Sequence, residues 1–130
     1  MISIKSKSAL LIDDDRNTLT VLQSELLKLG YIVTAVNHPA RVSETLERMD
    51  QIDVIFLDLE MPVTNGFEIL KQLREMDIDA PIIAHTVHID YLNEMRREGF
   101  NGLISKPLDL DTLSENLNRI IDGESVWQTN

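Results

Sequence analysis

The chain has 130 residues, of which 12 are Lys or Arg and 22 are Asp or Glu, giving a net charge of −10. That length is a single domain able to bury a substantial core, and the acidic balance argues against a nucleic-acid partner, which calls for clustered Lys and Arg, while suiting a cation site or a basic protein surface. With no cysteine, disulfides and thiolate metal sites are excluded and a reducing compartment is permitted. Residues 1–7 form an N-terminal segment without the apolar core of a signal peptide. No apolar run approaches the roughly 20 residues of a membrane span. These features predict a soluble, cytoplasmic protein that neither enters a membrane nor binds nucleic acid directly.

The hydrophobic period switches repeatedly along the chain. Residues 9–12 are a short apolar run that ends in Asp13, Asp14 and Asp15. Leu19, Leu22, Leu26 and Leu29 then recur at spacings of 3, 4 and 3, one face of a helix. Gly30 follows, where a left-handed cap is usual. Residues 31–36 are rich in β-branched side chains and predict a strand. Pro39 can open the next helix at its first turn, with Val42, Leu46 and Met49 facing inward. Residues 54–57 predict a third strand, running straight into Asp58. Pro62 and Asn65-Gly66 mark a loop, and Phe67, Leu70, Leu73 and Met76 a third helix. Pro81 precedes a strand at 82–85, and a weaker helix with Leu92 and Met95 ends at Gly99. Residues 102–105 predict a fifth strand. Leu110, Leu113, Leu117 and Ile120 predict a last helix, and residues 123–130 a tail or the start of a linker.

Strands alternating with helices predict an α/β sandwich around a parallel sheet. Right-handed crossovers leave few windings. The flavodoxin-like, doubly wound (βα)5 arrangement, a five-stranded sheet in order 2-1-3-4-5 over residues 8–122, fits best. Strands 1 and 3 then flank the switch point where such sheets bind ligands, and Asp13 to Asp15 and Asp58 stand at the carboxyl ends of those two strands.

An acid after a strand often merely caps the next helix, and capping serves Asp15 well. It does not explain Asp13 and Asp14 together with a matching acid at Asp58. Carboxylates packed within a few ångströms repel unless a cation neutralises them. An all-oxygen site of this kind suits Mg²⁺, which takes one or two carboxylates together with waters and phosphate oxygens. Thr86 and Lys106 end the fourth and fifth strands and project over the same edge. A lysine there is usually a solvated charge, but beside an acidic pocket it is the point-charge partner of a phosphoryl group.

Asp13-Asp14, Asp58, Met61-Pro62, Gly66, Thr86 and Lys106-Pro107 together resemble the receiver domain of two-component response regulators (CheY-like), over about residues 8–122. The resemblance implies that Asp58 is the phosphoacceptor, taking its phosphoryl group from a phosphohistidine on a sensor histidine kinase or a histidine phosphotransfer protein in a phosphorelay. It implies Mg²⁺, with Mn²⁺ as a substitute, on Asp14, Asp58 and the Glu60 backbone carbonyl, with Asp13 acting mainly through water. Lys106 is implied to pair with Asp58 and then with the phosphoryl oxygens, Thr86 to bond the phosphoryl group, and the peptide before Pro107 to be cis. Such a domain catalyses its own phosphotransfer and autodephosphorylation without turning over a separate substrate. A downstream protein is implied to dock on the fourth helix, fifth strand and fifth helix.

Two positions depart from the family pattern. Leu103 stands where an aromatic switch residue is usual, and Val87 where a small residue often follows the Thr. The resemblance implies that Glu60 and His88 stand at positions which in the family border the phosphoryl group and tune hydrolysis. His85 predicts a packed, hydrogen-bonded imidazole and His38 a loop residue.

Three rivals stand beside this reading. A haloacid dehalogenase-type hydrolase wants a second Asp two residues after the nucleophile, where Glu60 stands. A flavodoxin needs an anion cradle after strand 1, which Asp-Asp-Asp-Arg-Asn cannot form. An interaction module whose phosphorylation matters little is opposed by the retention of every acid, Thr86 and Lys106.

Overall fold

A computed structural model describes residues 6–129; residues 1–5 of the N-terminal segment, and Asn130, lie outside the described residues. Six strands form one parallel sheet in the order β2-β1-β3-β4-β5-β6: β1 (Ser8–Ile12), β2 (Ile32–Val36), β3 (Val54–Leu57), β4 (Ile82–Ala84), β5 (Gly102–Ile104) and β6 (Val126–Gln128). The helices are α1 (Arg16–Lys28), α2 (Val42–Glu47), α3 (Gly66–Glu75), α4 (Leu92–Glu98) and α5 (Leu113–Ile121). The first five strands keep the flavodoxin-like order 2-1-3-4-5. The sixth was not expected: part of the segment read as a tail or linker pairs with the edge of β5, Leu103 opposite Trp127.

The central strands are apolar throughout because both sheet faces are covered, and every residue of β1 and β3 is buried. Their side chains alternate between two cores. Leu10, Ile12, Ile55 and Leu57 join Val42, Leu46, Ile69, Leu70, Leu73 and Met95 of α2, α3 and α4. Ala9, Leu11, Val54 and Phe56 join Leu19, Leu22 and Leu26 of α1 and Leu113, Leu117 and Ile120 of α5. Helices on both faces make the sheet doubly wound. Winding reverses after β1, which opens the crevice between the carboxyl ends of β1 and β3.

Local signals set the helix ends. Asp15 caps α1, its carboxylate accepting the Asn17 N–H at 3.0 Å. Asn65 caps α3 through the Glu68 N–H at 3.1 Å. Gly30 and Gly99 follow α1 and α4 with φ of 89° and 105°, the left-handed conformation expected there. Pro39 opens a single 3₁₀ turn, Pro39–Arg41, before α2, and His38 caps that turn by accepting the Ala40 N–H. The last helix is shorter than its leucine spacing predicts. It begins at Leu113, and Leu110 lies in the preceding loop, 53% exposed.

Gly66 meets a different demand. A Cβ there would lie 2.6 Å from the Asp58 carbonyl oxygen and 2.8 Å from the Leu59 Cα, so the start of α3 packs directly on the backbone of the β3 exit. Neither atom can swing aside. Gly66→Ala is expected to cost about 1–3 kcal/mol through overpacking, read as a lowered urea midpoint; an unchanged midpoint would contradict this close approach.

Candidate functional site

The strand ends determine what the site contains. β1 delivers Asp13, the loop to α1 adds Asp14, β3 delivers Asp58, and residues beyond β4 and β5 supply Thr86 and Lys106. Asp13 and Asp58 are buried and Asp14 is exposed, and each offers a carboxylate oxygen within 4.8 Å of the others. The Lys106 Nζ lies 2.8 Å from Asp13 Oδ2 and 3.3 Å from Asp58 Oδ2. The nearer partner is therefore Asp13, not Asp58. Asp58 Oδ1 accepts the Glu60 N–H at 3.3 Å, and Asp13 Oδ1 accepts the Asp15 N–H at 2.9 Å. Both bonds fix carboxylate orientation from the backbone. Together with Met61, Pro62 and Val87, residues 14, 58, 60 and 106 line a cleft of about 610 Å³.

The electrostatics are unbalanced, with one ammonium against two members of a three-carboxylate cluster. Burial pushes the Asp13 carboxyl above its ordinary value, and the charge of Asp58 adds to the rise, against the pull of Lys106 and the Asp15 N–H. Burial also works against the charge of Lys106. Close contact with Asp13 and the charges of Asp58 and Asp13 outweigh it, leaving the ammonium above its ordinary value. Asp13 Oδ2 is buried against the Lys106 ammonium at 2.8 Å, and that same ammonium is shared with Asp58. A divalent cation at this oxygen-only cluster would offset the surplus negative charge that one shared ammonium leaves, so the residues fit Mg²⁺.

Thr86 is fully buried, and its Oγ1 accepts the His88 N–H at 3.2 Å. Its carbonyl accepts the Lys106 N–H at 2.9 Å, joining the exits of β4 and β5. The peptide between Lys106 and Pro107 is cis. Leu103 is fully buried in β5 on the α4 side of the sheet, whereas Val87 is 59% exposed at the rim. His88 Nε2 reaches Glu60 Oε2 at 2.6 Å, bridging the loops after β4 and β3. That contact holds the His88 imidazolium above the ordinary histidine value. Sequence reasoning singled out both residues without pairing them, since nothing in the spacing of residues 60 and 88 brings the loops together.

His85 points away from the cleft into the α1–α5 core. Its Nδ1 lies 2.7 Å from the Ile104 carbonyl, which can only accept, so that nitrogen carries the proton. Burial pushes the His85 pKa below the ordinary 6.5. A depressed histidine contributes stability that is present above its unfolded value and lost as pH falls through the folded one. The His85 contribution to the free energy of urea unfolding is therefore expected to shrink as pH falls below about 6.5, so that acidification costs the parent more stability than it costs His85→Gln. Equal slopes would exclude this histidine as a source.

No helix among the described residues is long and apolar enough to cross a membrane. A sequence model of the response regulator receiver domain matches residues 9–118. The C4-dicarboxylate transport transcriptional regulatory protein DctD of Pseudomonas aeruginosa is 33% identical over 115 residues, covering 87% of this chain and 25% of its own length. The chain spans 14% to 25% of the first curated relatives it matches. Among solved structures, the chemotaxis response regulator CheY4 of Vibrio cholerae superimposes with a TM-score of 0.80 at 26% identity, over 89% of this chain and 99% of that one. TrrA of Thermotoga maritima in complex with Mg²⁺–BeF gives a TM-score of 0.77 at 25% identity, covering 88% and 98%. Receiver domains bind Mg²⁺ at an aspartate cluster and work with histidine kinases and downstream effectors. With the cluster in place at the β1–β3 crevice and the family match running from β1 into α5, the chain belongs to the response regulator receiver domain family of two-component systems.

Proposed function

We propose that Asp58 is the phosphoacceptor, taking a phosphoryl group from a phosphohistidine on a sensor histidine kinase or a histidine phosphotransfer protein. The observation that carries this reading is the three-carboxylate cluster with one lysine ammonium against two of its members. Asp14, Asp58 and the Glu60 carbonyl would hold Mg²⁺, with Asp13 contributing through water; Mn²⁺ meets the same demand for oxygen ligands. When bound, Mg²⁺ supplies positive charge that offsets the carboxylates and polarises the phosphoryl oxygens.

An Asp58 carboxylate oxygen attacks phosphorus in line while the phosphohistidine nitrogen leaves, so that a P–N bond breaks and an acyl phosphate forms. The Glu60 N–H orients Asp58 before attack. Lys106, shared at rest between Asp13 and Asp58, turns to the new phosphoryl oxygens, and the Thr86 hydroxyl donates to one of them. Water then hydrolyses the acyl phosphate and resets the domain. The mark is read by a downstream protein, proposed to dock on the face built from α4, β5 and α5. The proposed setting is the cytoplasm, where phosphohistidine donors act.

Glu60 and His88 are assigned to the rate of reset. At rest His88 holds the Glu60 carboxylate, and His88→Ala releases it to take a proton from an attacking water. The acyl phosphate is expected to decay roughly two- to tenfold faster in His88→Ala, and Glu60→Gln in the same background should remove the gain. Equal decay in all three proteins would end this assignment. The function itself is tested by acetyl phosphate labelling. Labelling should require Mg²⁺ and stop with a chelator, and uptake unaffected by the chelator would contradict the site.

A further inference from the structure

The sixth strand lies beyond the residues matched by the family, which end at 118. It is seated by three distinct contacts. Trp127 pairs in register with Leu103 and packs on the α4 side of the sheet, with the Arg96 guanidinium of α4 4.7 Å from its ring centre. The Gln128 amide is satisfied at both ends by α5 and its N-cap residue: its NH₂ donates to Thr112 Oγ1 at 2.9 Å, and its oxygen accepts from Asn116 at 3.0 Å. Gly102 completes the seat, since a Cβ there would collide with the Val126 carbonyl. β6 thus lies along the outer edge of β5, between α4 and α5.

The seat is one residue from the phosphoryl site. The Ser105 N–H donates to the Gln128 carbonyl at 3.0 Å, and the next amide, Lys106, donates to the Thr86 carbonyl at 2.9 Å. Movement of Lys106 and Thr86 toward a phosphoryl group therefore acts on the bond between β5 and the end of β6. The Ser105 hydroxyl at this junction is buried without a hydrogen-bond partner among the described residues, a cost that rearrangement relieves. β6 is also the easier element to move. It has three residues, only Val126 is buried, and it follows Gly123 in the left-handed conformation at φ 93°. Short edge elements with few buried side chains open first.

From this geometry we propose that β6 is a strap released from β5 when the phosphoryl site is filled, with Trp127 carrying the conformational change at the register position of Leu103. The inference rests on Asp58 being the phosphoacceptor. It makes access to the α4–β5–α5 face depend on the chain's own C-terminal strand.

Trp127 is the only tryptophan, so its fluorescence reports on the strap. The 130-residue chain treated with phosphoramidate and Mg²⁺ is expected to show red-shifted emission and stronger acrylamide quenching. Exchange of the Ser105 amide should rise roughly fivefold, the factor that loss of one net hydrogen bond produces. Asp58→Asn in the same mixture should show neither change. Intact mass on the same samples separates the two claims. An adduct with unchanged emission and exchange overturns the strap and leaves the receiver reading standing, while no adduct overturns both. Gln128→Ala, which breaks the α5 clasp outside the site, should accept phosphoryl as the parent does yet show exposed Trp127 before phosphorylation. Parent-like emission in that variant would also overturn the strap.

Discussion

Asp58→Asn is expected to lose phosphoryl uptake completely while keeping the fold. The amide preserves the size of the side chain and can still accept the Glu60 N–H, but its oxygen is a poor nucleophile at phosphorus. Asp13 and Asp14 remain within reach of a cation, so the variant should still bind Mg²⁺, more weakly because one negative ligand is gone. Metal titration followed by calorimetry separates the two effects. Residual labelling of Asp58→Asn at the parent's rate would move the acceptor to another carboxylate.

Lys106→Ala is expected to have the second largest effect, and in two directions. Its ammonium, with a side chain only 14% exposed, contacts both Asp13 and Asp58. Removing it leaves the carboxylate cluster without its cation, and breaking such a pair costs several kcal/mol when fully buried. Asp14 is exposed and the cluster opens into the cleft, so solvent reduces the loss to about 2 kcal/mol in metal-free buffer. Mg²⁺ should restore more stability to this variant than to the parent, since binding to the native state adds stability in proportion to affinity. Phosphorylation should survive in weakened form, because the nucleophile and the metal ligands remain. Its conformational response should not, because the link from the phosphoryl oxygens to β5 is gone. Equal loss of metal binding and of the response would contradict this division of roles.

The fold was legible because hydrophobic period is a direct imprint of burial. Four-residue apolar runs mark strands covered on both faces, and leucines at helical spacing mark helices covered on one. The aspartate cluster was legible for a related reason: in a doubly wound sheet, residues just past strands 1 and 3 must meet at the switch point. What stayed hidden depends on tertiary contact. Val126-Trp127-Gln128 holds two strand-favouring residues but is too short a run to predict a strand; β5, Arg96, Thr112 and Asn116 make it one. Leu110 continues the leucine spacing of α5 yet sits outside the helix, because periodicity does not show where the first turn is hydrogen-bonded. The preference of Lys106 for Asp13, and the Glu60–His88 bridge, are distances across loops that strand-end positions do not determine.

The central claim, that Asp58 carries the phosphoryl group, is tested most directly by mapping the adduct. Protein incubated with phosphoramidate and Mg²⁺, reduced with borohydride and digested, should show one modification per chain, on the peptide containing Val54–Leu57 and Asp58 and assigned to Asp58 itself. An unmodified Asp58 under conditions that label a known receiver, or a modification placed on Asp13, Asp14 or a histidine, would contradict it.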